Sequence, residues 1–446
     1  MKVLRTVTRT VVFLVPVFAL LACASHAQLP EQFGPGTSVV LPEPHHNLIP
    51  TLNVAPAEGW PVGRRPTPAA GFAVTAYATD LQHPRWLYVL PNGDVLVAET
   101  NAPRRPGDGK GIRGWVQRIF MRKAGSGGES ADRITRLHGV NSSGAALERT
   151  TFLRGQGLSS PFGMALVGSN FYVANTDSLI RFNYRDGDTQ LPGPGTKVTD
   201  LPAGPINHHW TKNVIASRDG TRLFVTIGSN SNAGDNGLAV EEGRARIIEV
   251  DPGSGRTRAF ATGLRNPNGM DWNPQTGALW TAVNERDELG DNLVPDYMTA
   301  VHEGGFYGWP FSYYGSHLDP RVKEQKPTLV AQAIIPDYAL GSHTASLGLV
   351  FYAGQLFPQR FSGGAFIGQH GSWNRKPRSG YKVIFVPFEN GQPSGPPEDI
   401  LTGFLSENGK AFGRPVGVAV DRSGALLVAD DVGNTVWRVT PISATH

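Results

Sequence analysis

The sequence predicts an all-β fold, and two observations support this prediction. Gly (54) and Pro (35) together account for 89 of the 446 residues, about 20% against roughly 12% in average proteins. Such a chain turns too often for long helices, yet its 40% hydrophobic content can still form a core. The second observation is a short apolar unit that recurs along the chain. The composition excludes a coiled coil, collagen and wholesale disorder.

The recurring unit is a Pro or Asn, an apolar run, a turn built on Asp, Asn or Gly, and a second apolar run. Its six copies occupy residues 83–99, 160–175, 212–228, 266–283, 345–356 and 414–430. β-Branched and aromatic residues flank the turns, so each copy is predicted to form a hairpin. The copies lie about 50 to 80 residues apart, enough for a four-stranded antiparallel sheet and a loop. Because radial repetition hides sheet edges, we expect a six-bladed β-propeller, which explains six similar hairpins better than a β-sandwich does.

The N-terminal residues have the order of a secretory signal. Residues 1–10 are basic and lack an acid, residues 11–22 form an apolar run, and small residues follow. One predicted cleavage site, LLAC, resembles a lipobox and would leave Cys23 as the lipidated first residue of an exported, periplasmic protein. The alternative, SHA before Gln28, would release a soluble form.

Three segments are therefore predicted. Residues 1–22 are the signal, or up to residue 27 with ordinary cleavage; residues 23–69 are an extended Pro-rich arm or linker; residues 70–446 are the propeller. Without the three leader cations, 38 basic residues balance 37 acidic ones, which does not favour nucleic-acid binding. With a single cysteine the chain has no internal disulfide.

A basic insertion interrupts the region after the first hairpin. Residues 104–123 contain seven basic residues, and Asp108 is their only acid. This pattern is typical either of a solvated loop with a short amphipathic helix or of a surface that docks to an acidic partner or a membrane.

Two histidines and a lysine stand immediately before the third hairpin, in NHHWTKN. His208, His209 and Lys212 belong to this segment. A histidine is suited to general-base chemistry because its unperturbed pKa is near 6.5, although adjacent histidines also occur as ordinary polar residues. Zinc binding is not indicated, since neighbours in a strand point to opposite faces and no HExxH or cysteine accompanies them.

Further polar segments occupy equivalent positions near later hairpins. Arg265 and Asn266 open the fourth hairpin in GLRNPNGMDW, where the guanidinium either binds a carboxylate or braces a turn. The acidic loop NERDELGDN, residues 284–292, suits a hard cation such as Ca²⁺ or is simply solvated. GGFYGWP, GQHGSWNRKPRSGYK and GRPVG complete the series.

In this order, the segments resemble the glucose/sorbosone dehydrogenase family over about residues 70–440. Its members are six-bladed quinoproteins that hold pyrroloquinoline quinone (PQQ) over the propeller axis beside Ca²⁺. HWT and QHGSWNR are similar to the sorbosone dehydrogenase-like branch. RNPNG and YGWP are the most specific elements, whereas GRPVG also occurs in other propellers.

The resemblance implies roles for individual residues. His209 would be the catalytic base, and Arg265, near the quinone oxygens, would bind the cofactor together with Asn266. The backbone carbonyls of Glu285, Arg286 and Asp287 would bind Ca²⁺, and Arg414 would bind a PQQ carboxylate.

This chain departs from the family at three positions. His208 stands where the soluble glucose dehydrogenases have Asp, and Val416 replaces a second arginine that grips the cofactor. The family's cofactor-binding lysine falls near Gln369 and His370. Neither residue supplies the fixed charge of that lysine, although His370 is a candidate cofactor ligand. The candidates to compensate for the missing charge are Arg375, Lys376 and Lys212.

The resemblance implies PQQ- and Ca²⁺-dependent oxidation of a sugar or a sorbosone-like sugar aldehyde. His209 would remove a proton as hydride passes to the quinone, and Ca²⁺ would polarise the quinone. Electrons would pass to a separate periplasmic cytochrome or membrane quinone, because one cysteine cannot form a CxxCH haem motif. The alternatives are a metal-dependent propeller lactonase or esterase, and a non-catalytic propeller that binds glycans or proteins.

Overall fold

A computed structural model describes residues 27, 29–45, 51–106, 119 and 122–442. The predicted signal segment with Cys23, and most of the basic insertion, lie outside the described residues. Within the described ranges, no helix has the length and apolar character needed to cross a membrane.

The chain forms six antiparallel sheets, the blades, which follow one another around a ring. Three strands precede the first blade: β1 (Phe33–Pro35), β2 (Thr67–Pro68) and β3 (Phe72–Ala78). Blade 1 contains β4 (Pro84–Val89), β5 (Val95–Glu99), β6 (Arg133–His138) and β7 (Glu148–Arg154). Blade 2 contains β8 (Met164–Val167), β9 (Asn170–Ala174), β10 (Ser178–Asn183) and β11 (Thr196–Asp200). Blade 3 contains β12 (Val214–Ala216), β13 (Leu223–Ile227), β14 (Arg246–Val250) and β15 (Thr257–Thr262).

The later blades carry small additions. Blade 4 contains β16 (Pro267–Trp272), β17 (Leu279–Val283), β18 (Pro295–Ala300) and β21 (Tyr338–Ser342). Between its third and fourth strands lie the hairpin β19 (Ser312–Tyr313) and β20 (His317–Leu318) and the short helix α1 (Pro327–Val330). Blade 5 contains β22 (Ser346–Phe351), β23 (Ala365–Gln369), β24 (Lys382–Val386) and, after the hairpin β25 (Phe388–Glu389) and β26 (Gln392–Pro393), β27 (Glu398–Thr402). Blade 6 contains β28 (Pro415–Val420), β29 (Leu426–Asp430), β30 (Thr435–Pro441) and β3. Single 3₁₀ turns occupy Gly36–Ser38, Leu238–Glu241 and Gln359–Phe361.

The first strands of the blades pack side by side and close the ring. Strands β4, β8, β12, β16, β22 and β28 contact one another in this order, and β28 contacts β4. Glycine permits the closest approaches: a Cβ on Gly348 would lie 2.2 Å from the Val416 carbonyl oxygen, and one on Gly269 would lie 2.4 Å from the Leu349 nitrogen. Hydrophobic side chains fill the spaces between blades. The predicted six-bladed propeller with four-stranded antiparallel blades is confirmed.

Five predicted hairpins form as expected, and the fifth copy differs. In residues 345–356 only β22 is a strand, and its partner β23 begins at Ala365. The apolar residues that follow β22 pack inward instead, because Tyr352 and Phe357 join the aromatic core with Phe366. That second apolar run is core-forming loop, so the prediction of a compact hairpin there is wrong.

The Pro-rich arm lies against the ring. Strand β1 adds a fifth strand to blade 4 beside β21, and β2 adds one to blade 5 beside β27. Farther along, Trp60 inserts among Phe404, Phe412 and Trp437 and donates a hydrogen bond to Asp430 at 2.6 Å. The described part of the arm is therefore integrated with the propeller.

Candidate active site on one face of the ring

The predicted site residues gather on one face of the ring. The first strand of each blade begins there and the antiparallel second strand ends there. His209 and Lys212 precede β12, Arg265 and Asn266 precede β16, Glu285 to Asp287 follow β17, His370 follows β23, and Arg414 precedes β28.

The half-buried His209 ring has a defined tautomer. Its Nδ1 lies 2.9 Å from the Ser229 backbone oxygen and 3.0 Å from Ser229 Oγ, whose own hydroxyl donates to the Ser231 carbonyl at 2.7 Å. Because both partners can only accept here, Nδ1 carries the proton. Nε2 is then the nitrogen with the lone pair, as a general base requires.

The surroundings keep this imidazole neutral. Burial lowers the pKa of His209 well below its ordinary value, and the positive charge of Arg265 lowers it further. Asn266 is adjacent, since a Cβ on Gly228 would meet His209 Cβ at 2.5 Å and Asn266 Oδ1 at 2.4 Å. Asn266 Oδ1 is buried and has no partner among the described residues. The structure therefore brings three predicted residues, His209, Arg265 and Asn266, into one site.

His208 connects this site to the basic insertion. Its ring lies edge-on to the His209 ring, with centroids 4.8 Å apart. Its carbonyl accepts a hydrogen bond from Arg105 Nη1 at 2.6 Å. The described start of the insertion therefore supports the loop that carries the candidate base.

Arg265 joins the loops of blades 3 and 4. Its Nε and Nη2 donate to the Asn232 carbonyl and Oδ1 at 3.2 and 3.0 Å, and Nη1 donates to the Glu285 carbonyl at 2.7 Å. Asp287 lies 3.6 Å from Nη2. The guanidinium thus braces both loops and places a positive charge beside His209. Asn232, which also accepts from Trp309 Nε1 through its carbonyl at 3.0 Å, is a site residue that the sequence interpretation missed.

A buried ion pair completes this part of the face. His343 Nδ1 donates to Asp287 Oδ1 at 3.2 Å and Nε2 donates to the Gly290 carbonyl at 3.0 Å, so the ring needs both protons. Burial acts to lower the pKa of His343, but its hydrogen bond and charge interaction with Asp287 outweigh burial and raise it. Asn374 donates to the same carboxylate oxygen at 2.8 Å. Neither His343 nor Asn374 was predicted; the only available signal was the place of His343 just before β22.

The predicted Ca²⁺ carbonyls do not fit a cation. The Glu285 oxygen already accepts from the Arg265 guanidinium, and the Asp287 oxygen accepts from Asn232 at 2.9 Å and from Arg321 at 2.7 Å. A divalent ion there would face these cationic donors at close range. The described residues also contain no group of three His, Cys, Asp or Glu side chains placed to hold a metal.

Arg286, the remaining residue of that predicted set, belongs to the core. Its side chain is fully buried and pairs with Glu285 at 2.9 Å and with Asp319 at 3.1 Å. The prediction that this segment forms the Ca²⁺ site is therefore not supported by the structure.

Two predicted basic ligands are directed elsewhere. Lys212 is fully buried, and its ammonium donates to the His209 and Trp210 carbonyls at 3.4 and 3.2 Å. Burial lowers its pKa well below the ordinary value. Arg375 donates to the carbonyls of Asp291, Pro377 and Leu29 and so ties the arm to the propeller. In this structure both side chains are therefore bonded to backbone carbonyls, and neither is brought to His209 and Asn266 as a free cation. Lys376 contributes backbone contacts, with its N–H donating to Asp291.

Arg414 and His370 belong to a second group, here called the Asp431 cluster: His83, Arg85, His370, Arg414 and Asp431. His370 Nε2 donates to Asp431 Oδ2 at 2.9 Å, and burial lowers the pKa of His370 to about 4. His370 is thus a neutral partner of Asp431 and does not replace the family's charged lysine. Arg414 Nη2 donates to the Ala55 carbonyl of the arm at 3.1 Å.

This cluster fits a polyanionic cofactor such as PQQ. Arg85 pairs with Asp431, whereas Arg414 Nη2 donates only to a backbone carbonyl, and the Nε atoms of both arginines are buried without partners among the described residues. Uncompensated buried cations favour an anionic ligand. Arg85 also lies over the Trp210 ring at 5.8 Å, which connects the cluster to the His209 loop.

The fold is a six-bladed propeller, and this face carries a neutral histidine beside an arginine, together with the Asp431 cluster. The family model "Glucose / Sorbosone dehydrogenase" matches residues 169–372, and a model described as "TrAA12-like" matches residues 318–441. Over the matched residues, which are a little under half of the chain, the sequence is similar to the glucose/sorbosone dehydrogenase family.

Curated relatives include proteins named as sugar dehydrogenases. An uncharacterized protein of Borreliella burgdorferi is 30% identical over 54% of this chain and 62% of its own length. An aldose sugar dehydrogenase of Escherichia coli is 31% identical over 37% and 48%. A pyrroloquinoline quinone-dependent pyranose dehydrogenase of Coprinopsis cinerea is 22% identical over 84% and 54%. The matches thus span about half to three fifths of these relatives.

Solved structures show the same fold. The holo PQQ domain of the Coprinopsis cinerea pyranose dehydrogenase has a TM-score of 0.64 at 20% identity and covers 87% of this chain and 100% of that domain. The calcium structure of a Trichoderma reesei family AA12 enzyme has a TM-score of 0.65 at 18% identity, with 88% and 99% covered.

Proposed function

We propose that this protein oxidises a sugar or a sugar aldehyde with PQQ as its redox cofactor. The observation that carries the proposal is the neutral, tautomer-fixed His209 beside Arg265 and Asn266, on the same face as the Asp431 cluster. Relatives whose names specify aldose and pyranose dehydrogenases support the sugar as substrate class.

PQQ, when bound, supplies an electrophilic carbonyl that takes up a hydride. His209 Nε2 accepts the proton of the substrate hydroxyl, or of an aldehyde hydrate, as the C–H bond breaks. The Nδ1–H bond to Ser229 orients the ring and stabilises the imidazolium as it forms. The substrate thus loses one proton to His209 and one hydride to the cofactor, and an aldose becomes a lactone.

Arg265 and Asn266 would lie beside the bound cofactor, where their donors and positive charge would favour negative charge on an acceptor oxygen. The Arg265 guanidinium is held by Asn232 and Glu285 before substrate arrives, so little reorganisation is needed during the reaction. Arg414 would bind a cofactor carboxylate. None of these steps depends on Ca²⁺ at the Glu285 to Asp287 carbonyls.

The predicted signal segment extends the proposal. We infer from it that the enzyme acts outside the cytoplasm, in a soluble form or anchored through Cys23. The electrons then pass to a separate periplasmic cytochrome or membrane quinone.

A spectroscopic titration tests the proposal. Purified apoprotein is titrated with PQQ, once with Ca²⁺ and once with a chelator, so that a metal requirement appears as a difference between the two series. Aldoses and sorbosone-like aldehydes are then added anaerobically, and bleaching of the oxidised quinone spectrum is expected. PQQ binding without bleaching by any sugar would favour the non-catalytic propeller, and lactone hydrolysis by apoprotein plus metal would favour the lactonase.

A further inference from the structure

The Asp431 cluster contains more positive than negative charge. Arg85 and Arg414 remain charged, since guanidinium groups are protonated under all ordinary conditions. Burial lowers the pKa of both His83 and His370, so neither adds a cation at neutral pH. Asp431 pairs directly with Arg85 alone, and the Arg414 guanidinium has no carboxylate partner among the described residues.

The hydrogen bonds of Asp431 do not remove the excess positive charge of the cluster. Although burial raises the pKa of Asp431, the adjacent His370, His83 and Arg85 lower it by more, so the carboxylate is ionised. Its Oδ2 accepts from Arg85 Nη1 and from His370 Nε2, both at 2.9 Å, while Oδ1 is buried without a partner. The Arg85–Asp431 contact is thus single and not the bidentate pairing that a dedicated structural ion pair would show.

Both arginines keep donor capacity for a ligand. Among the described residues, Arg85 donates only through Nη1, and the Arg414 side chain donates only through Nη2, to the Ala55 carbonyl. Asp431 connects the two arginines: its Oδ2 accepts from Arg85 Nη1 at 2.9 Å, and its N–H donates to the Arg414 carbonyl at 3.3 Å. The Arg85 side chain is about 11% exposed, so a ligand on this face can reach it.

Arg85 also lies where the proposed cofactor would need a cation. Val416, the position of the family's second arginine, is a fully buried apolar residue here. Lys212 and Arg375, two candidates to replace the missing charge, are bonded to carbonyls away from the pocket. Arg85 instead contacts the Trp210 ring, next to the candidate base His209.

We propose that Arg85, together with Arg414, binds a carboxylate of PQQ and supplies the cationic fork that this chain lacks at position 416. This inference rests on the proposed PQQ-dependent function and deepens it. The competing explanation is that Arg85 only stabilises Asp431.

The test measures PQQ binding by quenching of intrinsic tryptophan fluorescence in the apoprotein, and therefore does not depend on turnover. PQQ and its trimethyl ester, which lacks the negative charges, are the two probes. Arg85→Gln is expected to weaken PQQ affinity about tenfold or more and to change ester affinity less than about twofold. Arg85→Lys is expected to restore part of the loss. Arg222→Gln, at an exposed arginine paired with Glu249, is the control and should match wild type.

Asp431→Asn separates a ligand role from a structural one. If Arg85 binds the cofactor, removing the competing carboxylate strengthens PQQ binding, so the Arg85 and Asp431 variants change affinity in opposite directions. If Arg85 only supports Asp431, both variants weaken binding together, and that result would overturn the inference. Thermal melts of each apoprotein identify any variant that fails to fold.

The remaining outcomes distinguish this inference from the proposed function. Wild type that binds PQQ, with an Arg85→Gln variant of equal affinity, overturns the role of Arg85 and leaves the dehydrogenase proposal standing. Wild type that binds neither probe overturns the proposed function and this inference with it.

Discussion

The substitution His209→Ala is expected to remove most of the catalysis and leave the cofactor bound. A positioned general base contributes about 10²- to 10⁴-fold to rate, which corresponds to about 3 to 5 kcal/mol in activation free energy. We expect His209 to act near the top of this range, because the Nδ1–H bond to Ser229 fixes the ring and burial lowers its pKa. Ser229→Ala removes only the Oγ contact, and the backbone oxygen still holds the ring. That variant should therefore lose only a few-fold.

The assay is single-turnover reduction of bound PQQ by an excess of sugar, with His208→Ala as the matched control. His208 contributes its carbonyl to the Arg105 contact, so removal of its side chain should have a mild effect. Equal rates for wild type and His209→Ala would refute the assignment of the base. A larger loss at His208 than at His209 would show that the adjacent residue performs the reaction.

The pH dependence gives a second measurement on the same residue. Because burial, followed by Arg265, lowers the pKa of His209, the base stays unprotonated at pH 7 and the rate should fall only well below pH 6.5. Arg265→Gln removes the nearby charge and should move the acid limb of the profile to higher pH, whereas Arg265→Lys should leave it nearly unchanged. An acid limb that does not respond to the charge at position 265 would contradict the proposed electrostatics.

Four further outcomes are expected. Lys212→Met should lower the rate of cofactor reduction severalfold with PQQ affinity unchanged, as stopped-flow and titration would show, because its ammonium supports the base-bearing loop. His343 has a raised pKa, so its ion pair with Asp287 contributes stability that is complete below about pH 6.5 and is lost as the pH rises through the folded-state pKa. The urea midpoint of the wild type should fall across that interval, and that of His343→Gln should not. Trp60→Phe deletes the indole hydrogen bond to a buried carboxylate and should destabilise the protein by about 1.5 to 3 kcal/mol, seen as a lower melting temperature. Mass spectrometry of the native N-terminus should find lipidated Cys23 or a chain that begins at Gln28, and an intact leader in the cell would contradict export.

The ring could be predicted because its signal is local. Each hairpin carries its own turn residues and alternating apolar runs, and their number gives the number of blades. The fifth copy failed because apolar residues in a loop that packs into the core look the same in sequence as a second strand, as Tyr352 and Phe357 show.

The site was only partly predictable, because a strand entrance gives a residue's position but not the direction of its side chain. His209, Arg265 and Asn266 were brought together as expected. Lys212, three residues after His209, points into the core. Partners from distant loops, such as His343 for Asp287, have no short-range pattern in the sequence, and only the folded ring brings them together.

The way blade 6 is assembled has a consequence for biosynthesis. Its outer strand β3 comes from the beginning of the folded region, while β28, β29 and β30 come from its end, and Thr75 pairs with Arg438. During synthesis, the edge of β3 therefore stays unpaired until almost the whole chain has emerged. Contacts between residues so distant in sequence also form slowly. A polypeptide stalled or truncated before β28 would expose that edge and the apolar face of blade 5, and both promote aggregation. The ring is therefore closed only at the last step of folding, when the first and last parts of the propeller meet.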